Sequence, residues 1–363
     1  MPKKEVAFAQ VVAALLDEER PFPPTLLNRL SDIQPSDLED LRQSWGRINV
    51  ERRVALLEDL ERISENDTLV SFEDLALLAV KDTDPRVRTL AVSLLWDYED
   101  HHIIPVLTTL LKSDQDEAVR ANAASALGKY IYLGELDKLQ AGELAKVEES
   151  LMQAYTNDPE GLVRRRALES LGYSSRENVP ELIRTAYDSS DEEWLESSLF
   201  AMGRSAQSEL WETEVLDMLD HPSAQIRAQA AWAAGELQLE SARDPLLEMV
   251  HENDDEPAVI SNAIWALSLI GGESVRETLE LLRDQTEDDE EADFISDALD
   301  NLDFTENRLS LGLLSYDEPQ REDLDFIMDV DEDEDDAFYD ALDDLDESDE
   351  DESAGDADKD ADT

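Results

Sequence analysis

The sequence predicts an all-α, right-handed solenoid of stacked helical hairpins that ends in a disordered acidic tail. Three observations lead there. An apolar anchor, a small or apolar residue four positions on and an apolar residue eight positions on recur seven times, with anchors at Val87, Val119, Val163, Trp194, Ile226, Val259 and Phe294. The intervals are 32, 44, 31, 32, 33 and 35 residues, and self-similarity at that period marks a stack of two-helix units. Finally, the composition turns sharply acidic after Phe304, which sets the end of the stack.

In chain order, the apolar periodicity over 6–16 predicts a helix that caps the stack, and residues 1–49 read as an N-terminal helical cap. Residues 50–64 predict one helix of a degenerate first unit, with Leu38, Leu41 and Trp45 on its partner. Residues 50–303 then form the repeat array and 304–363 the tail. Within each unit, positions 0, +4 and +8 fall on one side of a helix and make one buried stripe. The first helix of each unit is an apolar-periodic run, as at 103–111, 179–186 and 245–250.

Polar turns such as Asp82-Thr83-Asp84-Pro85, Asn157-Asp158-Pro159 and His221-Pro222-Ser223 supply N-cap side chains and prolines suited to a first helical turn. Gly128, Gly172, Gly203 and Gly235 follow the stripe, where a residue free to take positive φ can end a helix or let the chain turn closely. The longer interval between the second and third units marks an insertion of about a dozen residues. It contains residues 130–136, read either as a lengthened helix or as an elaborated loop.

The Val-Arg start, the Ala-rich second helix and the spacing resemble HEAT repeats, particularly the short HEAT-like repeats of phycobilisome lyases. Residues 119–128 and 226–235 carry the likeness best, and it extends over roughly 67–303. The resemblance implies a solenoid. For function it implies a non-catalytic scaffold or adaptor that binds a partner, with phycobilin lyase-like handling of a chromophore as the alternative. Fold alone does not decide between them.

Two rows of residues stand out along the repeats. Arg follows the anchor in four units, at Arg88, Arg120, Arg164 and Arg227, and in three of these an acid lies four residues earlier, at Asp84, Asp116 and Glu160. This predicts a structural ladder of ion pairs within each unit. Six residues after the anchor, three consecutive units carry Phe200, Trp232 and Trp265, where earlier units carry Ser93, Ser125 and Glu169. That register lies roughly opposite the buried stripe, so the aromatics are candidates for holding a partner peptide.

The formal net charge is −61, of which −24 falls in residues 301–363, so both body and tail repel polyanions. Sequence-independent nucleic-acid binding needs a Lys/Arg surface, which this balance excludes. The expected partner is a protein or peptide with a basic segment. No apolar run approaches the length of a membrane span, and the expected location is cytoplasmic. Only 8 of the 30 basic residues are Lys, a bias that a salty cytoplasm would also produce.

Residues 331–363 hold 19 acidic positions in 33, too polar to fold alone. Apolar islands at Leu324, Phe326, Ile327, Met328 and Val330, and at Phe338, Tyr339, Leu342 and Leu345, make the tail a candidate second or regulatory contact. Leu309, Leu311, Leu313 and Leu314 are expected to cover the end of the last repeat.

Catalytic chemistry finds little support. Cysteine is absent, which removes thiol catalysis and thiolate metal sites. The histidines are His101, His102, His221 and His251, and His251-Glu252 is the one pair that invites comparison with the HEAT-repeat deoxyhypusine hydroxylases, whose two irons need several such pairs. The expectation is therefore no enzyme, no cofactor and no metal.

Overall fold

The computed structural model describes residues 7–96, 98–252 and 256–310. The tail beyond 310, with its two apolar islands and with Leu311, Leu313 and Leu314, lies outside the described residues, as do the side chains of Glu252 and of 307–310. Every regular element among the described residues is helical.

The first compact unit, Met1–Asn307, carries the repeats. Helix α1 (Phe8–Leu16) buries Phe8, Val11 and Leu15. It packs on α2 (Pro35–Trp45), which precedes α3 (Val50–Asn66), the second helix of the degenerate first unit. Seven hairpins follow among the described residues. They are α4 (Glu73–Ala79) with α5 (Pro85–Leu94), α6 (Ile104–Ser113) with α7 (Glu117–Glu135), α8 (Ala141–Asn157) with α9 (Gly161–Leu171), and α10 (Val179–Tyr187) with α11 (Glu192–Arg204). Then come α12 (Ser208–Met218) with α13 (Ala224–Glu236), α14 (Arg243–Glu252) with α15 (Pro257–Ile270), and α16 (Val275–Gln285) with α17 (Asp289–Ser310). Helix α17 therefore runs past Phe304, where the composition changes. The extra residues between the second and third units lengthen α7 and α8, and Tyr130, Ile131 and Leu133 become core.

The second helices carry the stack. Each of α3, α5, α7, α9, α11, α13 and α15 packs on the next, giving a continuous layer. The predicted stripe is its core: all seven +4 residues, from Ala91 through Ser198 to Ala298, are fully buried, and every +8 residue is buried. Each Leu of that set contributes about 1.5–3 kcal/mol by leaving water. The anchors are equally buried except Trp194 and Phe294, which are half-exposed; Trp194 meets Tyr155 edge-on at 6.1 Å.

The glycines after the stripe have a different job from the one expected. None of the four takes a positive φ. They mark the closest approach of neighbouring second helices: a Cβ on Gly172 would stand 2.6 Å from the Ala201 carbonyl oxygen, and one on Gly235 would stand 2.7 Å from the Ala266 Cα. Left-handed backbone appears instead at Asp137 after α7, Ala206 after α11 and Gln238 after α13, of which only Asp137 is of a type that visits that region readily.

Candidate functional site

In five units the turn before the second helix is built by the residue five positions ahead of the anchor. Asp82 accepts from the Asp84 N–H at 2.8 Å, Asp114 from Asp116 at 2.9 Å, Asp158 from Glu160 at 3.0 Å, Ser189 from Asp191 at 3.2 Å and His221 Nδ1 from Ser223 at 3.1 Å. Two residues later, Asp84, Asp116 and Asp191 cap the helix itself. Glu160 and Ser223 make no such side-chain cap. Pro159 and Pro222 lie just before the N-cap residue rather than in the first turn, unlike Pro85.

Onto this turn the ladder arginines fold. Nη1 of each donates to the carbonyls of its own turn: Arg88 to Asp82 at 2.9 Å, Arg120 to Asp114 at 2.9 Å, Arg164 to Asp158 at 2.7 Å and Arg227 to His221 at 2.9 Å. The carboxylate partner is not the acid four residues earlier. Arg88 reaches forward to Asp114, donating from Nε at 2.8 Å and Nη2 at 2.7 Å, and Arg120 to Asp158 at 2.8 and 3.1 Å. Arg53 begins the series on Asp82 Oδ2, which also accepts from Trp45 Nε1 at 2.6 Å.

Through Arg53, Arg88 and Arg120 the ladder ties the first four units together, because a guanidinium fork can reach the carboxylate ahead and, in Arg88 and Arg120, also the turn behind. Burial alone would raise the Asp114 pKa, but the Arg88 hydrogen bond, the Asp116 N–H and the charges of Arg88 and Arg120 hold it below the usual carboxylate range. These residues are architecture.

The half-exposed register of the same helices is where a partner could be met. Phe200 on α11 and Trp232 on α13 are both half-buried and lie face to face, with ring centroids 4.5 Å apart and planes 16° apart. Trp232 can come this close because Gly203 leaves room beneath it; a Cβ there would touch the indole at 2.6 Å. Trp265 on α15 is also half-buried, yet it makes no ring contact with Trp232. The predicted row of three is therefore a stacked pair and a separate indole.

Residues outside that row extend it in the other direction. Arg204 lies between Phe200, at 4.1 Å from its ring centroid, and Tyr173 at 4.8 Å, and Tyr173 meets Tyr132 at 5.4 Å. The result is a ribbon of rings and one guanidinium across four second helices. Burial pulls the Arg204 pKa down from the ordinary arginine value, but an arginine keeps its charge at neutral pH. Arg204 and Tyr173 both stand ten residues after an anchor, a register in which the sequence shows no repeating type.

Phe200 lines a cavity of about 260 Å³, and a second of about 570 Å³ shares Glu196 and Gln229 with it. The smaller is lined by charges that pair off: Arg165 with Glu193 at 2.7 Å, and Arg166 with Glu169 at 2.7 Å. The larger lies between the starts of α13 and α15, where Asn262 and Glu256 face it. Among the described residues, no group of three or more His, Cys, Asp or Glu side chains is placed to hold a metal ion. His101 and His102 turn to separate carboxylates, Glu143 at 3.2 Å and Glu73 at 2.9 Å.

Compared with known families, the chain matches HEAT repeats over residues 72–142 and 212–303, which takes in the Arg ladder turns of α5, α7 and α13. Those two spans are HEAT repeats. No curated protein matched it in sequence. Among solved structures, YibA of Escherichia coli is 16% identical, with a TM-score of 0.41 over 83% of this chain and 99% of that one. The CpcE–CpcF complex of phycocyanin lyase from Nostoc is 20% identical, at a TM-score of 0.43 over 63% of this chain and 94% of that one. Kap95p, solved with RanGDP, is 13% identical at a TM-score of 0.41 over 81% of this chain and 45% of its own. No described helix of the HEAT array is long and apolar enough to cross a membrane.

Proposed function

We propose that this HEAT-repeat chain is a non-catalytic interaction scaffold that holds an extended segment of a partner protein across the second helices α9, α11, α13 and α15. One observation supports the reading: the half-exposed ring of Phe200, stacked on Trp232, borders a polar cavity that shares Glu196 and Gln229 with a second, larger one. Stacked aromatics beside polar clefts offer apolar area at low entropic cost, which is how interface anchors work. The acidity of the chain favours a partner segment with basic residues. Stacked helical repeats present such a face as one continuous strip, which suits a chain lying across several units.

A photo-crosslinking amino acid placed at Asn262, on this face, is expected to link the full-length protein to a discrete partner in a lysate of its source. The same group at Thr185, on the first helix α10, is expected to give no such product. Crosslinks of equal yield from Thr185 would overturn the assignment of the binding face.

A further inference from the structure

Glu196 is the charge in this region that the protein leaves unmatched. The other charges lining the smaller cavity are paired as Arg165 with Glu193 and Arg166 with Glu169, and Glu169 also accepts from Ser197 Oγ at 2.7 Å. Glu196 makes no hydrogen bond or ion pair among the described residues, although it is half-buried on the ridge between the two cavities. Burial, and then the nearby Glu169, push the Glu196 carboxyl above its usual range, against a smaller opposing pull from Arg166 and Arg165. A carboxylate held in this way gains from a cation brought by a guest.

Gln229 supplies the second observation. It borders the same two cavities, and its Nε2 is buried without any hydrogen-bond partner. An orphaned buried amide is costly, and an acceptor supplied from the cavity would recover part of that cost. The guest must therefore offer a cation and an acceptor within one short stretch, with an apolar stem to lie along Phe200. A Lys or Arg residue within an extended peptide meets all three demands: its side chain is a cation on an alkyl stem, and its main chain carries carbonyls. The molecule holds an arginine of its own in comparable surroundings a few ångströms away, where Arg204 lies over Phe200 and Tyr173.

Resting on the reading that this face holds a peptide, we propose that Glu196 is the counter-ion for one Lys or Arg side chain of that peptide, while Gln229 donates from Nε2 to one of its main-chain carbonyls. Glu196 is then the residue that sets specificity at one peptide position, and the aromatic stack supplies contact area.

The test is selection from a phage-displayed library of random peptides on the full-length protein, followed by direct binding of the selected sequences as synthetic peptides. Selected peptides are expected to share Lys or Arg at one fixed position. A selected peptide should bind Glu196→Gln about tenfold more weakly, and its own Lys→norleucine version should lose as much on the unaltered protein. The two changes together should lose no more than either alone. The peptide substitution leaves the protein untouched, so it reads the contact independently of any effect on folding. Peptides selected without a positional cation, or bound equally by Glu196→Gln, would overturn the Glu196 assignment while leaving peptide binding in place. A library from which nothing is retained would overturn peptide binding itself, and the Glu196 assignment with it.

Discussion

Arg120 shows how much one side chain does in this architecture. Its guanidinium donates to the Asp114 carbonyl behind it and to both Asp158 oxygens ahead of it, and the pair is nearly closed to solvent, with side chains 10% and 8% exposed. Removing one member of such a pair strands the other in a poorly solvated place. Arg120→Met is therefore expected to lower unfolding free energy by about 3 kcal/mol in denaturant titration. Adding Asp158→Asn should recover part of that loss; a loss under about 0.5 kcal/mol, the range of exposed pairs, would place the bridge at the surface. The arginines were legible in the sequence and their partners were not. An acid four residues before the Arg draws the eye, yet Asp84 and Asp116 are occupied in capping their helices. The readable signal was Asp five residues before the anchor, repeated at Asp82, Asp114 and Asp158.

At the scale of the helix, the distance between neighbours is set by residues without side chains. Gly172→Ala would push a methyl group against the α11 backbone, which cannot rotate away, so the helices must separate. A cost of about 2–3 kcal/mol is expected. Gly142→Ala, on α8 where nothing lies within 4 Å of the added carbon, is expected to leave stability unchanged or raise it by up to about 1 kcal/mol. Equal effects in thermal melts would refute the close-approach explanation. The hairpins themselves were readable from period alone, because a stripe at 0, +4 and +8 has one physical solution in a stack. For these glycines the sequence offered helix ends or close turns, and only Gly172 stands at a helix C-cap; their close approach to the next helix was not readable, since the sequence shows a glycine near the end of a stripe but not the neighbour pressed against it. The candidate site was half legible for a similar reason. Phe200, Trp232 and Trp265 share a register, but whether rings stack depends on Gly203 in the adjacent unit. Glu196, Gln229 and Arg204 belong to no repeated type, so no periodic signal could reveal them.

For the whole molecule, charge should govern stability. A net charge of −61 makes the folded chain repel itself, and burial raises the pKa of Glu61, Glu196 and Glu236 above the ordinary value. A carboxyl raised on folding destabilises the native state at neutral pH, and that loss is regained as pH falls through its folded pKa. Asp114 works in the opposite sense: its pKa is lowered, so its contribution is present above about pH 4 and disappears as acid protonates it in the folded state. The melting temperature is expected to rise from about pH 7 to about pH 5, then to fall below about pH 4. It should also rise with added salt at neutral pH, as screening weakens self-repulsion. A melting temperature indifferent to salt would mean that the charges are already neutralised locally.

The lengthened α7–α8 hairpin carries a lesson for protein engineering. Arg120 and Asp158 close their bridge across 38 residues, where Arg88 and Asp114 do so across 26, and the two bridges have nearly the same distances. The dozen additional residues are absorbed at the hairpin's far end, around Asp137 and Lys138, without shifting the register of the layer beneath. That tip is a natural graft point, where a reporter domain or an affinity loop can be spliced in while the stacked helices keep their alignment.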